Sequence, residues 1–201
     1  MPNWCSNYIS VRGTNSAEVK RLADAFDAGE FCQAVIPVPA VLRDTTAPTQ
    51  ESDEAAAEQR KAETGFDNWY DFCVNRWGTK WDISCQEECD RDEDGLGFNG
   101  GFDTAWSPPM GVVEQLAEDG FEVTLHYHES GMAFVGKFED GEDHCYDYSG
   151  LNSETVRGYI GDELDDFWLL SEQMAEYEAE NEEELTQWIR EGAKETNQDE
   201  Q

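Results

Sequence analysis

Positive charge is what this 201-residue chain lacks: 13 Lys and Arg, five of them Lys, stand against 46 Asp and Glu, for a formal net charge of −33. The deficit excludes nucleic acid and anionic membrane surfaces as direct partners, because both are polyanions gripped by Lys/Arg clusters. Long apolar runs are also missing, and none approaches the roughly 18 residues of a membrane span. The opening Met1-Pro2-Asn3-Trp4 has neither the basic nor the apolar region of a signal peptide, so a cytosolic protein is expected. The six cysteines (Cys5, Cys32, Cys73, Cys85, Cys89 and Cys145) then read as reduced thiols, mostly packed as small hydrophobes. There is no G-x-S-x-G elbow, no P-loop and no G-x-G-x-x-G at a strand–helix junction. Neither an enzyme nor a cofactor is expected on those grounds.

What is present suffices for a folded core. Hydrophobic content is 38% and aromatic content 12%, whereas disordered acidic segments are poor in aromatics. Self-repulsion at this charge opposes compaction, so a chain that retains it uses it or lives where salt screens it. The length suits one domain, or one domain with an appendage.

Residues 4–12 alternate as a strand, with Cys5, Asn7, Ile9 and Val11 on one face, and Gly13 closes it. Asn15 and Glu18 mark a helix start; Val19, Leu22, Ala23 and Phe26 give that helix its apolar face up to Gly29. Residues 31–65 read as irregular, with one solvated helix somewhere between Asp44 and Glu63. Phe66, Trp69, Tyr70, Cys73, Val74 and Trp77 predict an amphipathic helix over 66–77. A second strand is predicted over 80–88 from the alternation of Trp81, Ile83 and Cys85, and a third over 97–106 from Phe98, Gly100, Phe102, Thr104 and Trp106. Ser107 as N-cap with Pro108 at the first helical position opens a helix carrying Val112, Val113, Leu116 and Ala117. A fourth strand follows at 121–129, then two more over 132–138 and 144–148. From Asn152 onward the chain reads as helical, with Leu164, Phe167, Trp168, Ser171 and Met174 or Ala175 as one apolar stripe and Leu185, Trp188 and Ile189 as another.

This order predicts an α+β protein, a ferredoxin-like antiparallel sheet with both helices on one face. The expected organisation is a core at 1–150, interrupted by an insertion at 31–79 and extended by extra strands, followed by an acidic helical extension at 151–201. That extension holds 16 acids and 3 bases, about twice the net charge per residue of the rest.

Four stretches stand out together: Met1-Pro2-Asn3-Trp4-Cys5 with Asn7; Trp77-Gly78-Thr79-Lys80-Trp81-Asp82; Phe102-Asp103-Thr104-Ala105-Trp106-Ser107-Pro108-Pro109; and Glu129 with Gly131, Phe134 and Gly136. In these patches, over roughly residues 1–140, the chain resembles the phage- and plasmid-encoded YubB-type family. The resemblance implies a ferredoxin-like domain, a mobile-element origin and a bacterial cytoplasm. It brings no activity and no catalytic residues, and it does not reach the acidic extension.

The candidate partner-binding residues are the carboxylates. Glu172, Glu176, Glu180 and Glu184 recur at i, i+4, where like charges cost roughly 0.2–0.5 kcal/mol per pair. Such a stripe offers one charge about every 6 Å, against one about every 1.7 Å along a DNA duplex. Mimicry of nucleic acid therefore needs further acids, for which Glu87, Glu88, Asp90 and Asp92 are the candidates. The bland alternative is a solvated face.

Asp90 to Gly95 matches the first half of a calcium loop, but position 12 is Gly101 rather than a bidentate Glu, so a polar hairpin turn is expected. His126 and His128, with Glu122 beside them and His144 and Cys145 further on, lack a defined third ligand. Cys85 and Cys89 have no second pair at zinc-ribbon spacing. No metal is assigned to any of them. Trp4, Trp77, Trp81 and Trp106 belong to the core or to a binding face. Either the 66–77 helix and the extension cover the second face of the sheet, or that face binds something.

The leading expectation is an acidic interaction protein that binds and inhibits a basic, nucleic-acid-handling or defence-related host protein by charge mimicry. The alternatives are a metal- or calcium-binding structural module and a non-inhibitory acidic protein adapted to high salt.

Overall fold

The chain starts as a strand because its first apolar residues recur every second position. The computed structural model describes residues 3–196, with side chains to residue 183. In β1 (Trp4–Arg12) the side chains of Cys5, Asn7, Ile9 and Val11 are buried and their neighbours face the other way. β1 lies between β3 (Gly97–Ala105) and β4 (Glu122–Glu129), antiparallel to both, so that Ile9 faces Gly100 on one side and Leu125 on the other. With β2 (Asp90–Arg91), β5 (Phe134–Glu139) and β6 (Glu142–Asp147) the sheet runs β2-β3-β1-β4-β5-β6.

α1 (Ser16–Asp27) begins where the Asn15 side chain accepts from the Ala17 N–H, at 3.0 Å; Glu18 pairs with Arg21 instead of completing a capping box. Its Leu22 and Phe26, and Val112, Val113 and Leu116 of α6 (Met110–Glu118), join one core cluster with Ile9, Val11, Phe98, Phe102 and Leu125. Both helices therefore cover the same face of the sheet, as the sequence predicts, and the fold is ferredoxin-like. The Phe26 ring stands edge-on to Phe98 and Phe102, with centroids 5.9 and 5.6 Å away. Gly100 makes that approach possible, since a Cβ there would sit 2.8 Å from the Phe26 ring.

Three local expectations are corrected. Residues 80–88 are not a strand: the segment makes one bridge, Ser84 to Asp103, and the paired strand is the two-residue β2. The cause is Asp82, whose carboxylate accepts from the Cys32, Gln33 and Ile83 N–H groups at 2.8–2.9 Å. It thereby caps α2 (Phe31–Val35), which has no cap of its own. Ser107 is not the N-cap of α6; Pro109 holds that position and the Ser107 hydroxyl donates to the Gly78 carbonyl. The third strand ends at Ala105, and Trp106 leaves it with φ +69°.

The insertion is more ordered than its sequence suggests. It contains α2, α3 (Ala40–Arg43), a 3₁₀ turn (Glu51–Asp53), α4 (Glu54–Thr64) and α5 (Trp69–Arg76). Phe31, Cys32 and Leu42 are fully buried. Phe72, Cys73 and Trp77 enter the same core as α1 and α6, and the Trp77 indole donates to the Ile36 carbonyl at 2.8 Å. The 66–77 helix thus packs on the helical side and does not cover the second face of the sheet.

By its contacts the chain divides into two compact units, Met1–Cys145 and Tyr146–Gln201. In the second, Asn152 and Thr155 form a capping box at the start of α7 (Ser153–Ile160). The predicted stripe from Leu164 to Met174 is split between α8 (Asp162–Trp168) and α9 (Leu170–Thr196), because Leu169 between them has φ +52°. Asp165, buried in α8, accepts from the Ser171 N–H at 2.8 Å and from its hydroxyl at 2.6 Å, and it pairs with Arg157 at 3.0 Å. The stripe of Leu185, Trp188 and Ile189 lies outside the described side chains.

Candidate functional site

Two kinds of site emerge, one of surplus negative charge and one of aromatic rings around a cation. On α9, Glu172, Glu176 and Glu180 are exposed and make no ion pair among the described residues. Glu178, two residues from Glu176 and from Glu180, is turned about 200° around the helix. There it accepts from the N–H and hydroxyl of Ser153 at 2.9 and 2.6 Å, so the stripe faces away from α7. The Glu184 backbone continues α9, and its side chain lies outside the described residues.

The other four candidate acids stand in the first unit, and they are not equivalent. Glu87, Glu88 and Asp90 are exposed. Asp92 pairs with Arg12 at 2.6 Å, and Asp94 binds the same guanidinium. Asp94 is held below the usual carboxylate range by the Leu96 N–H and then by Arg12. Two of the three would-be calcium ligands in the Asp90–Gly95 turn therefore clamp an arginine. Nearby, Arg91 bridges Asp24 and Asp27.

His126 and His128 lie on the face of β4 opposite the core, half-buried, in register with Tyr8 and Ser6. Among the described residues no three of His, Cys, Asp or Glu gather as a metal-holding group. Cys85 and Cys89 face α1, their thiols donating to the Phe26 and Ala23 carbonyls. Burial pushes the Cys5, Cys73 and Cys89 thiols up to about 12, and Cys32 is raised as well. Such thiols are protonated at neutral pH and are poor nucleophiles.

The aromatic site assembles from the start of β1, the segments around residues 80 and 106, and Tyr70 of α5. Of the four tryptophans singled out above, Trp77 is core, whereas Trp4, Trp81 and Trp106 are 48%, 40% and 42% exposed. Trp4 and Trp81 stand with ring centroids 6.3 Å apart. The Lys80 ammonium lies 4.4 Å from the Trp81 ring centre, 5.4 Å from Trp106 and 5.6 Å from Tyr70, within cation–π range of all three. Lys80 makes no ion pair among the described residues, although the chain carries 46 acids.

The backbone beneath these rings is tightly specified. Asn7 donates to Thr104 Oγ1 at 2.9 Å, and that hydroxyl donates to the Ser107 carbonyl at 2.8 Å. Thr79 Oγ1 donates to the Ala105 carbonyl at 3.1 Å, and the Trp106 N–H donates to the Asn3 carbonyl at 2.9 Å. Gly78 adopts φ +89°, and a Cβ there would lie 3.1 Å from the Pro108 carbonyl oxygen. This lattice holds Trp106 in a left-handed conformation that costs a bulky residue about 1–3 kcal/mol. Sequence reasoning noted the tryptophans but missed Lys80; its place beside Trp81, in a chain with only five lysines, was the available signal.

The family model described as "Ferredoxin-like domain in Api92-like protein" matches residues 80–189, more than half of the chain. Among solved structures, the chain is similar to a crystal structure of protein api92 from Yersinia pseudotuberculosis. The two are 12% identical, with a TM-score of 0.38, over 75% of this chain and 99% of that one. No curated protein matches the sequence.

Proposed function

We propose a function from two premises: the chain belongs to the family of ferredoxin-like domains in Api92-like proteins, and most of its surface acids are not neutralised by its few bases. On this reading it is an interaction protein, not an enzyme. It engages a basic, nucleic-acid-handling partner, such as a component of host defence, and blocks it by occupying the surface that nucleic acid uses. Its origin would be a phage or plasmid, and its place of action a bacterial cytoplasm. No helix among the described residues is long and apolar enough to cross a membrane.

The observation that carries the reading is the exposed stripe Glu172, Glu176 and Glu180, which makes no ion pair among the described residues and faces away from α7. Apart from Glu172, which sits in the first turn of α9, the row works against the helix, since i, i+4 carboxylates repel each other. A basic partner gains fast, steered association from it. The calcium-module alternative loses support because Asp92 and Asp94 are committed to Arg12.

Capture from a bacterial lysate at low ionic strength, followed by elution on a salt gradient, tests the proposal. A basic nucleic-acid-binding protein should elute at moderate salt, and added DNA or RNA should displace it. Recovery of no basic protein, or of one indifferent to nucleic acid, would count against charge mimicry.

A further inference from the structure

The ring-lined lysine answers to a different chemistry from the acidic surface. A cleft of about 590 Å³ opens beside it in the first unit, with Thr49, Trp69, Tyr70, Asp71, Lys80 and Trp106 among its walls. That volume lies within the range of small-molecule sites, about 300–1,000 Å³. Lys80 is the cation at this cleft, and its two acids turn elsewhere: Asp71 accepts from the Asn68 amide at 2.9 Å and Asp67 pairs with Lys61 at 3.2 Å. A lysine that makes no ion pair in so acidic a chain has a ligand role open to it, and it would repel the basic partner proposed above.

The rings supply the second half of the specificity. Trp106 is driven out of the end of β3 by its left-handed backbone and stays 42% exposed at the mouth of the cleft. Strained backbone that the surroundings over-determine is characteristic of ligand clamps. Here the determining bonds come from Asn3, Thr79, Thr104 and Ser107, on segments far apart in sequence. Aromatic faces take flat apolar groups by stacking, and an ammonium beside them takes an anion.

We infer that this cleft binds a small planar aromatic molecule bearing one anionic group, its ring against Trp106 and Tyr70 and its anion at Lys80. A single anionic group is favoured because the net −33 field of the chain opposes each further one on a ligand. The inference does not rest on the charge-mimicry reading. The two also differ in their response to salt: partner capture should weaken steeply, whereas screening of the chain's own field should offset the loss at Lys80.

Calorimetric titration of the full chain distinguishes the sources of the ligand. The probes are indole-3-acetate, its neutral counterpart indole-3-ethanol, adenosine monophosphate, adenosine and inorganic phosphate. Indole-3-acetate is expected to bind at least ten-fold more tightly than indole-3-ethanol, and adenosine monophosphate more tightly than adenosine, with inorganic phosphate alone weak. Lys80→Met keeps the aliphatic stem and should abolish the preference for the anionic member of each pair. Trp106→Leu should weaken all the ring-bearing probes, and Trp106→Phe should restore part of the loss. Thermal melts show that each variant is folded. No saturable binding of any ring-bearing anion by the folded parent would overturn the inference, as would a Lys80→Met variant that retains the anion preference.

Discussion

The two units of the chain both fasten some carboxylates into the fold, but only the second lines them up as a surplus stripe among the described residues. In the first, Asp24 and Asp27 hold Arg91, Asp92 and Asp94 hold Arg12, and Asp82 caps α2, so carboxylates are fastened into the fold. In the second, Asp165 is fastened in the same manner, but Glu172, Glu176 and Glu180 on α9 make no ion pair among the described residues. One residue type thus serves two ends. Removing a fastened acid should cost stability, while removing a surplus one should cost only binding.

The largest effect is expected at Asp165. Asp165→Ala removes the acceptor for the Ser171 N–H and hydroxyl and leaves Arg157 with two exposed partners, Asp162 and Asp166. A loss of roughly 3 kcal/mol is expected in urea unfolding followed by far-UV circular dichroism. Asp82→Ala should come next, at about 2 kcal/mol, because the N–H groups of Cys32, Gln33 and Ile83 lose their shared acceptor. A variant as stable as the parent at either position would erase the distinction between fastened and surplus acids.

The surplus stripe should behave with the opposite sign. Replacing Glu172, Glu176, Glu180 and Glu184 by Gln relieves three like-charge i, i+4 pairs and should raise stability by roughly 1 kcal/mol. The gain should shrink at high salt, where screening already relieves the repulsion. Loss of stability in that variant would mean that the stripe is part of the fold.

The smallest effect concerns pH. Burial would raise the Asp27 carboxyl, but the Cys89 N–H and Arg91 outweigh it and hold the group below its ordinary value. A depressed carboxylate stabilises the fold above its unfolded pKa, about 4, and that stabilisation is lost as pH falls through the folded value. Asp27→Asn should therefore be less stable than the parent at pH 7, with the difference closing below about pH 4. A difference that is constant with pH would show that Asp27 contributes through shape and not through charge.

The parts of the fold that were legible in the sequence rest on local periodicity. Period two in residues 4–12 and the helical spacing of Val19, Leu22 and Phe26 follow from contacts that each element makes with a single core. The strand expected at 80–88 failed although Ile83 is buried as its alternation requires. Its backbone is redirected by Asp82, which serves N–H groups fifty residues earlier, and no local pattern reports such a debt. Phe31 and Leu42 were hidden for a related reason, since the short helices that carry them are too brief to show a period. For the sites, the acids were visible as a spacing, but the engagement of Asp92 by Arg12 depends on β1 passing beside the turn. The Lys80 cluster draws on residues 70, 80, 81 and 106, and on a left-handed backbone at Trp106 that a non-glycine residue does not advertise.

The division between fastened and surplus charge is tested most directly by a competition assay on the four-fold Glu→Gln variant at 172, 176, 180 and 184. The captured basic partner is loaded with DNA or RNA, and displacement by parent and variant is followed across a salt series, with a thermal melt of each. The account predicts a variant that melts at or above the parent temperature, displaces nucleic acid poorly, and shows a shallower salt dependence than the parent. A variant that competes as well as the parent at every salt concentration would contradict it.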